Sequence, residues 1–200
     1  MKHTADAGPQ PAAFLDRDGT LIVDQGYICD FRQVRVFDFA VAAVHLLNQL
    51  GYRVVLVTNQ SAVARGICSE KQIRRLHREL QGYFSRHGAT IDAVYYCPYL
   101  NNGAVRHYRR SSQLRKPQPG MLLQAARDLS LDLPGSYMIG DTLDDVAAGK
   151  AAGCRTIKVN TGIARPGEEP GPAATQADFT VATLLDAARL IQSLTINGLD

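Results

Sequence analysis

The chain has no hydrophobic run of membrane-spanning length, no strong excess of one charge, no CxxC pair and no internal repeat. Its longest apolar stretches, such as Val54 to Val57, are strand-sized and far short of the roughly 20 residues that a bilayer requires. A net charge of +3 is too weak to indicate nucleic acid by itself. The cysteines, Cys29, Cys68, Cys97 and Cys154, are scattered over 200 residues. That pattern reads as reduced thiols in a cytoplasm rather than a disulfide framework, with Cys29, Cys68 and Cys154 only packing. Met1 to Pro11 is poor in hydrophobic residues and carries Asp6, so it is expected to be a flexible N-terminal segment and not a secretory signal. Hydrophobic residues make up 46% and charged residues 20%, which excludes disordered, collagen-like and coiled-coil chains. The expectation is one domain over residues 12–200, cytoplasmic, monomeric, and bound to neither membrane nor nucleic acid.

Strand-like and helix-like periods alternate along the chain. Ala12 to Leu15 is a short apolar run that breaks at Asp16, with a turn at Gly19. Val41, Val44, Leu47 and Leu50 fall at helical spacing within Phe39 to Leu50, and Gly51 stops that helix. Tyr52 to Thr58 is a β-branched strand. Ser69 with Gln72 makes a capping box for a helix running to His87-Gly88. Ile91 to Cys97 reads as a strand, Pro119 opens a helix through Leu129, and Tyr137 to Ile139 is a short strand ending at Gly140-Asp141. Asp145 to Ala152 is a helix stopped by Gly153, Thr156 to Val159 a further strand, and Thr180 to Ile196 a closing amphipathic helix. Tyr99 to Gln118, polar and basic, and Gly162 to Gln176, rich in Pro, Gly and Glu, read as surface loops. The alternation predicts an α/β fold, a Rossmann-like parallel sheet with helices on both faces.

In such sheets ligands bind beyond the carboxyl ends of the strands, and the polar residues there make chemical sense together. Asp16-Arg17-Asp18-Gly19-Thr20 follows the first strand and Thr58-Asn59-Gln60-Ser61 the second. Arg115-Lys116-Pro117 closes the long loop, and Gly140-Asp141 ends the fourth strand, with Asp144 and Asp145 behind it. Crowded carboxylates repel unless a proton or cation intervenes, and a hard divalent ion with oxygen ligands fits. A carboxylate can also attack phosphorus to give an aspartyl-phosphate. A second carboxyl two residues on can protonate the leaving oxygen and then deprotonate the hydrolytic water. Taken singly, Thr58-Asn59 could be a strand-end hydrogen-bonding pair, Arg115-Lys116 solvated charge, and Asp144 an exposed helix-start residue. The Arg106, His107, Arg109, Arg110 cluster is either a solvated loop face or a second anion contact.

DRDGTL, VTNQS, RKPQPGM and MIGDTLDD, in this order, resemble the four motifs of the haloacid dehalogenase (HAD) superfamily of phosphatases. FLDRDGTL with Asp24-Gln25-Gly26-Tyr27, then VTNQSAVARG, YYCP and RKPQPGM, are most similar to its heptose-bisphosphate and histidinol-phosphate phosphatase branch. The resemblance covers roughly Ala12 to Gly162. It implies Asp16 as nucleophile and Asp18 as general acid/base. It assigns Mg²⁺ to the Asp16 carboxylate, the Asp18 carbonyl and the Asp141 carboxylate. Thr58 would bind the transferring phosphoryl group, with Asn59, Gln60 and Ser61 lining the same pocket. Lys116 would neutralise nucleophile and phosphate, Arg115 would hold a second phosphate or the sugar, and Asp24, Gln25, Gly26 and Tyr27 would form a substrate-contacting loop. Asp145 would orient the metal ligands or Lys116 from behind.

The activity implied is Mg²⁺-dependent hydrolysis of a phosphomonoester, in the first instance removal of the 7-phosphate from D-glycero-D-manno-heptose 1,7-bisphosphate on the way to nucleotide-activated heptose for lipopolysaccharide core or surface glycan. Histidinol phosphate or another small phosphate ester is the alternative substrate. A non-catalytic phospho-receiving protein is the reading from another class, and Asp18 argues against it. The branch usually carries a zinc-stapled loop built on Cys-x-His and Cys-x-Cys pairs. Here Cys97 stands, but Tyr99, Ser112 and Leu114 occupy the other ligand positions, and one thiolate with only His107 nearby cannot make a four-coordinate site. No structural zinc is expected, and the loop must be held by packing through Tyr95, Tyr96, Tyr99 and Tyr108, or else move. Thr142 stands where the family often has a lysine, and Ala62 replaces a glycine. The short interval from Thr20 to Thr58 leaves no room for a large helical cap, so the enzyme is expected to be nearly capless.

Overall fold

The computed structural model describes residues 8–162 and 176–198. Among these, β1 (Gln10–Leu15), β2 (Arg53–Asn59), β3 (Ala93–Cys97), β4 (Leu131–Gly140), β5 (Arg155–Val159) and β6 (Phe179–Val181) form one sheet in the order β3-β2-β1-β4-β5-β6. Every neighbouring pair is parallel. The helices are α1 (Ala40–Gln49), α2 (Glu70–Arg86), α3 (Gly120–Leu129), α4 (Leu143–Ala152) and α5 (Leu184–Ile196).

The two faces of the sheet follow from strand alternation. Ala13, Leu15, Val54 and Leu56 pack with α1, α2 and α5, whereas Ala12, Phe14, Val55 and Val57 pack with α3 and α4. Strands covered on both faces are apolar at successive positions, which is why β1 and β2 read as continuous hydrophobic runs. Crossovers from β1 run one way to β2 and β3 and the other way to β4, β5 and β6. The carboxyl ends of β1, β2 and β4 therefore border the switch point where an open α/β sheet presents its cleft. Between Thr20 and Thr58 the described elements are a 3₁₀ turn at Phe31–Gln33, then α1 and β2, so this interval supplies no separate helical cap.

Several elements differ from the sequence reading. Gln10 and Pro11, expected in the flexible N-terminal segment, already pair with β4; residues 1–7 lie outside the described residues. β4 is longer than Tyr137 to Ile139, because Leu131 and Asp132 pair with Gln10 and Pro11 before the register shifts. Pro134 and Gly135 sit in that interruption, and the Ser136 hydroxyl accepts the Ala12 N–H there at 2.8 Å. Thr180 and Val181, read as the start of the last helix, belong to β6. The helix begins only after Thr183, whose side chain and Asp186 form a capping box that needs an extended residue before the first turn. Of the loop expected at Gly162 to Gln176, residues 163–175 lie outside the described residues.

The cysteine reading requires a correction. Cys29 and Cys68 form a disulfide, with 5.5 Å between their Cα atoms and a sequence separation of 39. The loop after β1 and the turn after β2 cross at this point, an encounter that cysteine spacing does not encode. Cys97 and Cys154 are free and buried.

The long loop is held by tyrosines, and Tyr95, Tyr96, Tyr99 and Tyr108 all take part. Tyr96 and Tyr108 each donate to the Glu70 carboxylate at 2.6 Å, and Arg74 pairs with the same group. These bonds hold the Glu70 carboxyl down at about 2. Tyr95 donates to Asp128, and the Arg110 guanidinium lies 3.9 Å over the Tyr99 ring. Cys97 Sγ faces the Tyr99 carbonyl, while the Ser112 hydroxyl accepts the Leu114 N–H. Arg109 ties down the Gly103 and Ala104 carbonyls. Two members of the basic cluster are therefore spent inside the loop rather than at the cleft. Glu70→Gln, which weakens both tyrosine bonds at a partly exposed site, is expected to cost about 1–2 kcal/mol in urea unfolding and to make residues 99–115 more susceptible to protease. An unchanged midpoint and an unchanged cleavage pattern would contradict this account of the loop.

Candidate active site

Asp16 stands directly after β1, its N–H still bonded to the Ile139 carbonyl of β4 at 3.0 Å. The chain then turns at Gly19, which has φ +83°. A Cβ on Gly19 would come within 2.6 Å of Asp141 Oδ2, so glycine is needed for backbone shape and for close approach to that carboxylate. Asp141 follows β4 and Thr142 caps α4. Thr142 N–H and hydroxyl both donate to Asp145 Oδ2, at 3.0 and 2.7 Å, which fixes Asp145 beneath the strand ends. Gly140 has no side chain for the same reason, since a Cβ there would strike the Asp145 carboxylate.

Lys116 arrives from the long loop and is 3% exposed. Its Nζ donates to Asp16 Oδ1 at 2.6 Å and the Val57 carbonyl at 2.8 Å, and pairs with Asp145 Oδ1 at 2.5 Å. The ammonium is thus held between two carboxylates and a strand carbonyl. Asn59 braces the lysine backbone from both sides, donating to the Lys116 carbonyl at 3.0 Å and accepting its N–H at 3.1 Å. The Asp18 carboxylate is gripped by Nε and Nη2 of Arg17, with a shortest contact of 2.8 Å. Gln60 Nε2 donates to Asp18 Oδ2 at 3.2 Å and to the buried Thr58 hydroxyl at 3.0 Å.

Asp16, Asp141 and Asp145 each offer an oxygen within 4.8 Å of the others, and all three are buried. Burial, followed by repulsion from neighbouring carboxylates, pushes the Asp16 carboxyl up to about 7 against the opposing pull of Lys116. Burial and then repulsion from Asp16 and Asp145 push Asp141 up to about 8. Burial alone would lower the Lys116 ammonium, but Asp145 and Asp16 outweigh it and raise it. Three carboxylates against one ammonium leave two negative charges, and Asp141 Oδ1 is buried with no hydrogen-bond partner among the described residues. Both features fit a hard divalent cation held by Asp16 and Asp141.

Above this cluster lies a cleft of about 350 Å³, lined by Asp16, Asp18, Asp24, Gly26, Tyr27, Thr58, Asn59, Gln60, Ser61, Arg115 and Lys116. Of the expected residues, Gln25 is exposed and does not line the cleft, while Asp141 and Asp145 lie beneath it at the carboxylate cluster. Asp144 is exposed, as expected for a helix start, but also borders the cleft, as does Thr142. Two lining residues were not singled out from sequence. Arg65 lies 5.8 Å over the Tyr27 ring, and Arg17 holds Asp18. The signal for Arg17 was its place between the two acids of DRD, where an arginine has only a carboxylate or solvent to turn to. Arg65 carried no local signal.

A family model described as HAD-hydrolase-like matches residues 113–187. The D-glycero-beta-D-manno-heptose-1,7-bisphosphate 7-phosphatase of Photorhabdus laumondii is 39% identical over 186 residues, covering 92% of this chain and 96% of its own. That of Escherichia coli K12 is 38% identical over 183 residues, covering 91% and 94%. Among solved structures, the D,D-heptose 1,7-bisphosphate phosphatase of B. bronchiseptica, complexed with magnesium and phosphate, aligns with a TM-score of 0.78 at 28% identity, covering 92% of this chain and 98% of that one.

Proposed function

The chain belongs to the HAD-like hydrolases and is a phosphatase, and we propose that it removes the 7-phosphate of D-glycero-D-manno-heptose 1,7-bisphosphate through a phosphorylated Asp16. The observation that carries this reading is the buried group of Asp16, Asp141 and Asp145 around Lys116 on the floor of the cleft. Asp16 attacks phosphorus, and the Thr58 hydroxyl and Lys116 bind the phosphoryl oxygens. Asp18 gives a proton to the departing sugar oxygen and later takes one from the water that hydrolyses the acyl phosphate. Asp16, Asp141 and the Asp18 carbonyl would hold Mg²⁺, which when bound would shield the phosphoryl charge from the attacking carboxylate. Asp145 touches no substrate in this scheme and keeps Lys116 aimed at Asp16.

Substrate choice follows from the rest of the cleft. Arg115 and Arg65 both line it, and neither is ion-paired among the described residues, so a second anionic group on the substrate has cations to meet. A bisphosphate satisfies that arrangement. Histidinol phosphate does not, because its own ammonium would face guanidinium groups. The test is phosphate release from both anomers of heptose 1,7-bisphosphate, histidinol phosphate and fructose 1,6-bisphosphate. A preference of at least about tenfold for a heptose anomer is expected, one decade corresponding to 1.4 kcal/mol. Equal rates on histidinol phosphate would refute the substrate assignment while leaving the chemistry standing.

The raised carboxyls also predict how metal binding responds to pH. A carboxyl whose folded pKa lies above its ordinary 3.8 keeps protons that the unfolded chain has released, so metal-free stability falls as pH rises toward about 7 for Asp16 and about 8 for Asp141. Mg²⁺ must displace those protons. The rise in melting temperature on adding Mg²⁺ is therefore expected to be larger at pH 8.5 than at pH 6, at constant ionic strength. An equal rise at both values, or none, would contradict the assignment of these ligands.

A further inference from the structure

Arg17 is a fully buried guanidinium, 1% exposed, and its five donors are directed two ways. Nε and Nη2 close a fork on the Asp18 carboxylate, and Nη1 lies 3.1 Å from Nε2 of His77, a residue of α2 that is itself 3% exposed. Arginine can only donate, so His77 Nε2 must present a lone pair and the ring proton sits on Nδ1. Burial, with the Arg17 charge adding to it, pushes the imidazolium down to about 3, which leaves the ring neutral. Nδ1 is buried without a hydrogen-bond partner among the described residues. An unsatisfied buried N–H is destabilising, a penalty that leucine or phenylalanine would avoid in the same space. The ring is steadied by Tyr96, 5.4 Å away, whose hydroxyl is anchored on Glu70.

We propose that His77 and Arg17 are a positioning pair for the proton-transfer group of this site: His77 accepts from the rear of the guanidinium and fixes the plane of the fork that presents Asp18 to the leaving oxygen. The front of the same carboxylate is tied through Gln60 to Thr58, so the proton-transfer group and the phosphoryl-binding hydroxyl share one frame. Without the bond at Nη1 the guanidinium turns about its last torsions, and Asp18 turns with it. The inference rests on Asp18 being the general acid/base, and the test keeps the two ideas apart.

The readout is kcat/KM on two esters, heptose 1,7-bisphosphate, whose alkoxide must be protonated as it leaves, and p-nitrophenyl phosphate, whose phenolate leaves readily without a proton. For a mechanism with a covalent intermediate this constant reports only the steps through phosphorylation of Asp16. His77→Leu is expected to lose at least about tenfold more on the sugar ester than on the aryl ester, a part of the 10²–10⁴-fold that general acid catalysis supplies. His77→Gln, whose carbonyl oxygen can accept from Arg17, is expected to recover most of that difference. A purely structural role predicts equal losses on the two esters, and equal losses, or none, overturn the proposal. If His77→Leu does not fold, Arg17→Lys decides the matter by the same ratio, because it keeps the charge and abolishes the fork. Asp18→Asn is the reference. If it shows no leaving-group selectivity, the acid/base reading of Asp18 fails; if it does and His77→Leu does not, only the positioning pair is refuted.

Discussion

Asp16→Asn is expected to abolish phosphate release, with a fall in kcat on the order of 10⁴-fold or more, since losing a nucleophile removes the covalent route altogether. Asparagine keeps the shape of the side chain, and its carbonyl oxygen can still accept from Lys116 at the position where Asp16 Oδ1 now lies 2.6 Å from Nζ. The same change relieves repulsion. With Asp16 neutral, two carboxylates rather than three share one ammonium in the buried cluster. The variant is therefore expected to be inactive and, without metal at pH 8, to melt no lower than the parent chain. The direction follows from the raised Asp16 carboxyl, which destabilises the folded state wherever it is forced to ionise. A phosphate-release assay and a thermal melt on the same sample check both halves. Activity within tenfold of the parent would dismiss Asp16 as nucleophile, and a large drop in melting temperature would mean that its charge is structurally required.

Lys116→Met is the counterpart, with loss in both properties. The lysine pairs with both Asp16 and Asp145 and is almost wholly buried, so its removal leaves buried carboxylates uncompensated. Breaking a buried pair from one side costs about 3–5 kcal/mol. That cost has a definite pH dependence. The abandoned carboxyls take up protons more readily than before, so the destabilisation is largest above pH 8 and shrinks as the solution is acidified. Added Mg²⁺ is expected to recover part of the stability but little of the activity. Losing a cation that meets the phosphoryl oxygens lowers kcat/KM by about 10²–10³-fold. Urea unfolding at pH 6 and pH 8.5, with and without Mg²⁺, measures the first effect and phosphate release the second. A variant equally stable at both pH values, and as stable as the parent, would refute the electrostatic account of the cluster.

The contrast between these two substitutions explains why Lys116 is reached by so many braces. Asn59, read from sequence as part of the pocket lining, does line the cleft, but its amide is occupied on both sides by the Lys116 backbone. Asp145, read as a group that orients the metal ligands or Lys116 from behind, pairs with the Lys116 ammonium and also closes the capping box that starts α4. One residue thus serves the helix and the site together, which ties the geometry of the charge cluster to the stability of the helix.

Much of the site could be read from the chain because its chemistry is local. A carboxylate pair two residues apart after an apolar run, a hydroxyl after a β-branched strand, and a Gly-Asp at a strand end are each short patterns. The parallel sheet then has only one edge at which to assemble them. The helices were legible for a similar reason, since Ser69 with Gln72 closes its capping box within four residues. β6 was less so. Phe179 to Val181 is three residues long and runs almost directly into a helical period, and only pairing with β5 makes it a strand.

What the sequence by itself determined was every element but β6, the fold class and the identity of the groups that could handle phosphate, because periodicity and side-chain type act over a few residues. Tertiary structure alone decided which distant groups meet. The Cys29–Cys68 bond joins two loops 39 residues apart, and Arg17 finds His77 across 60 residues. Arg65 reaches Tyr27, and Glu70 collects two tyrosines, Tyr96 and Tyr108, that lie far from it in sequence. These encounters depend on how loops of particular length cross over a twisted sheet, and no local pattern of residues carries that information.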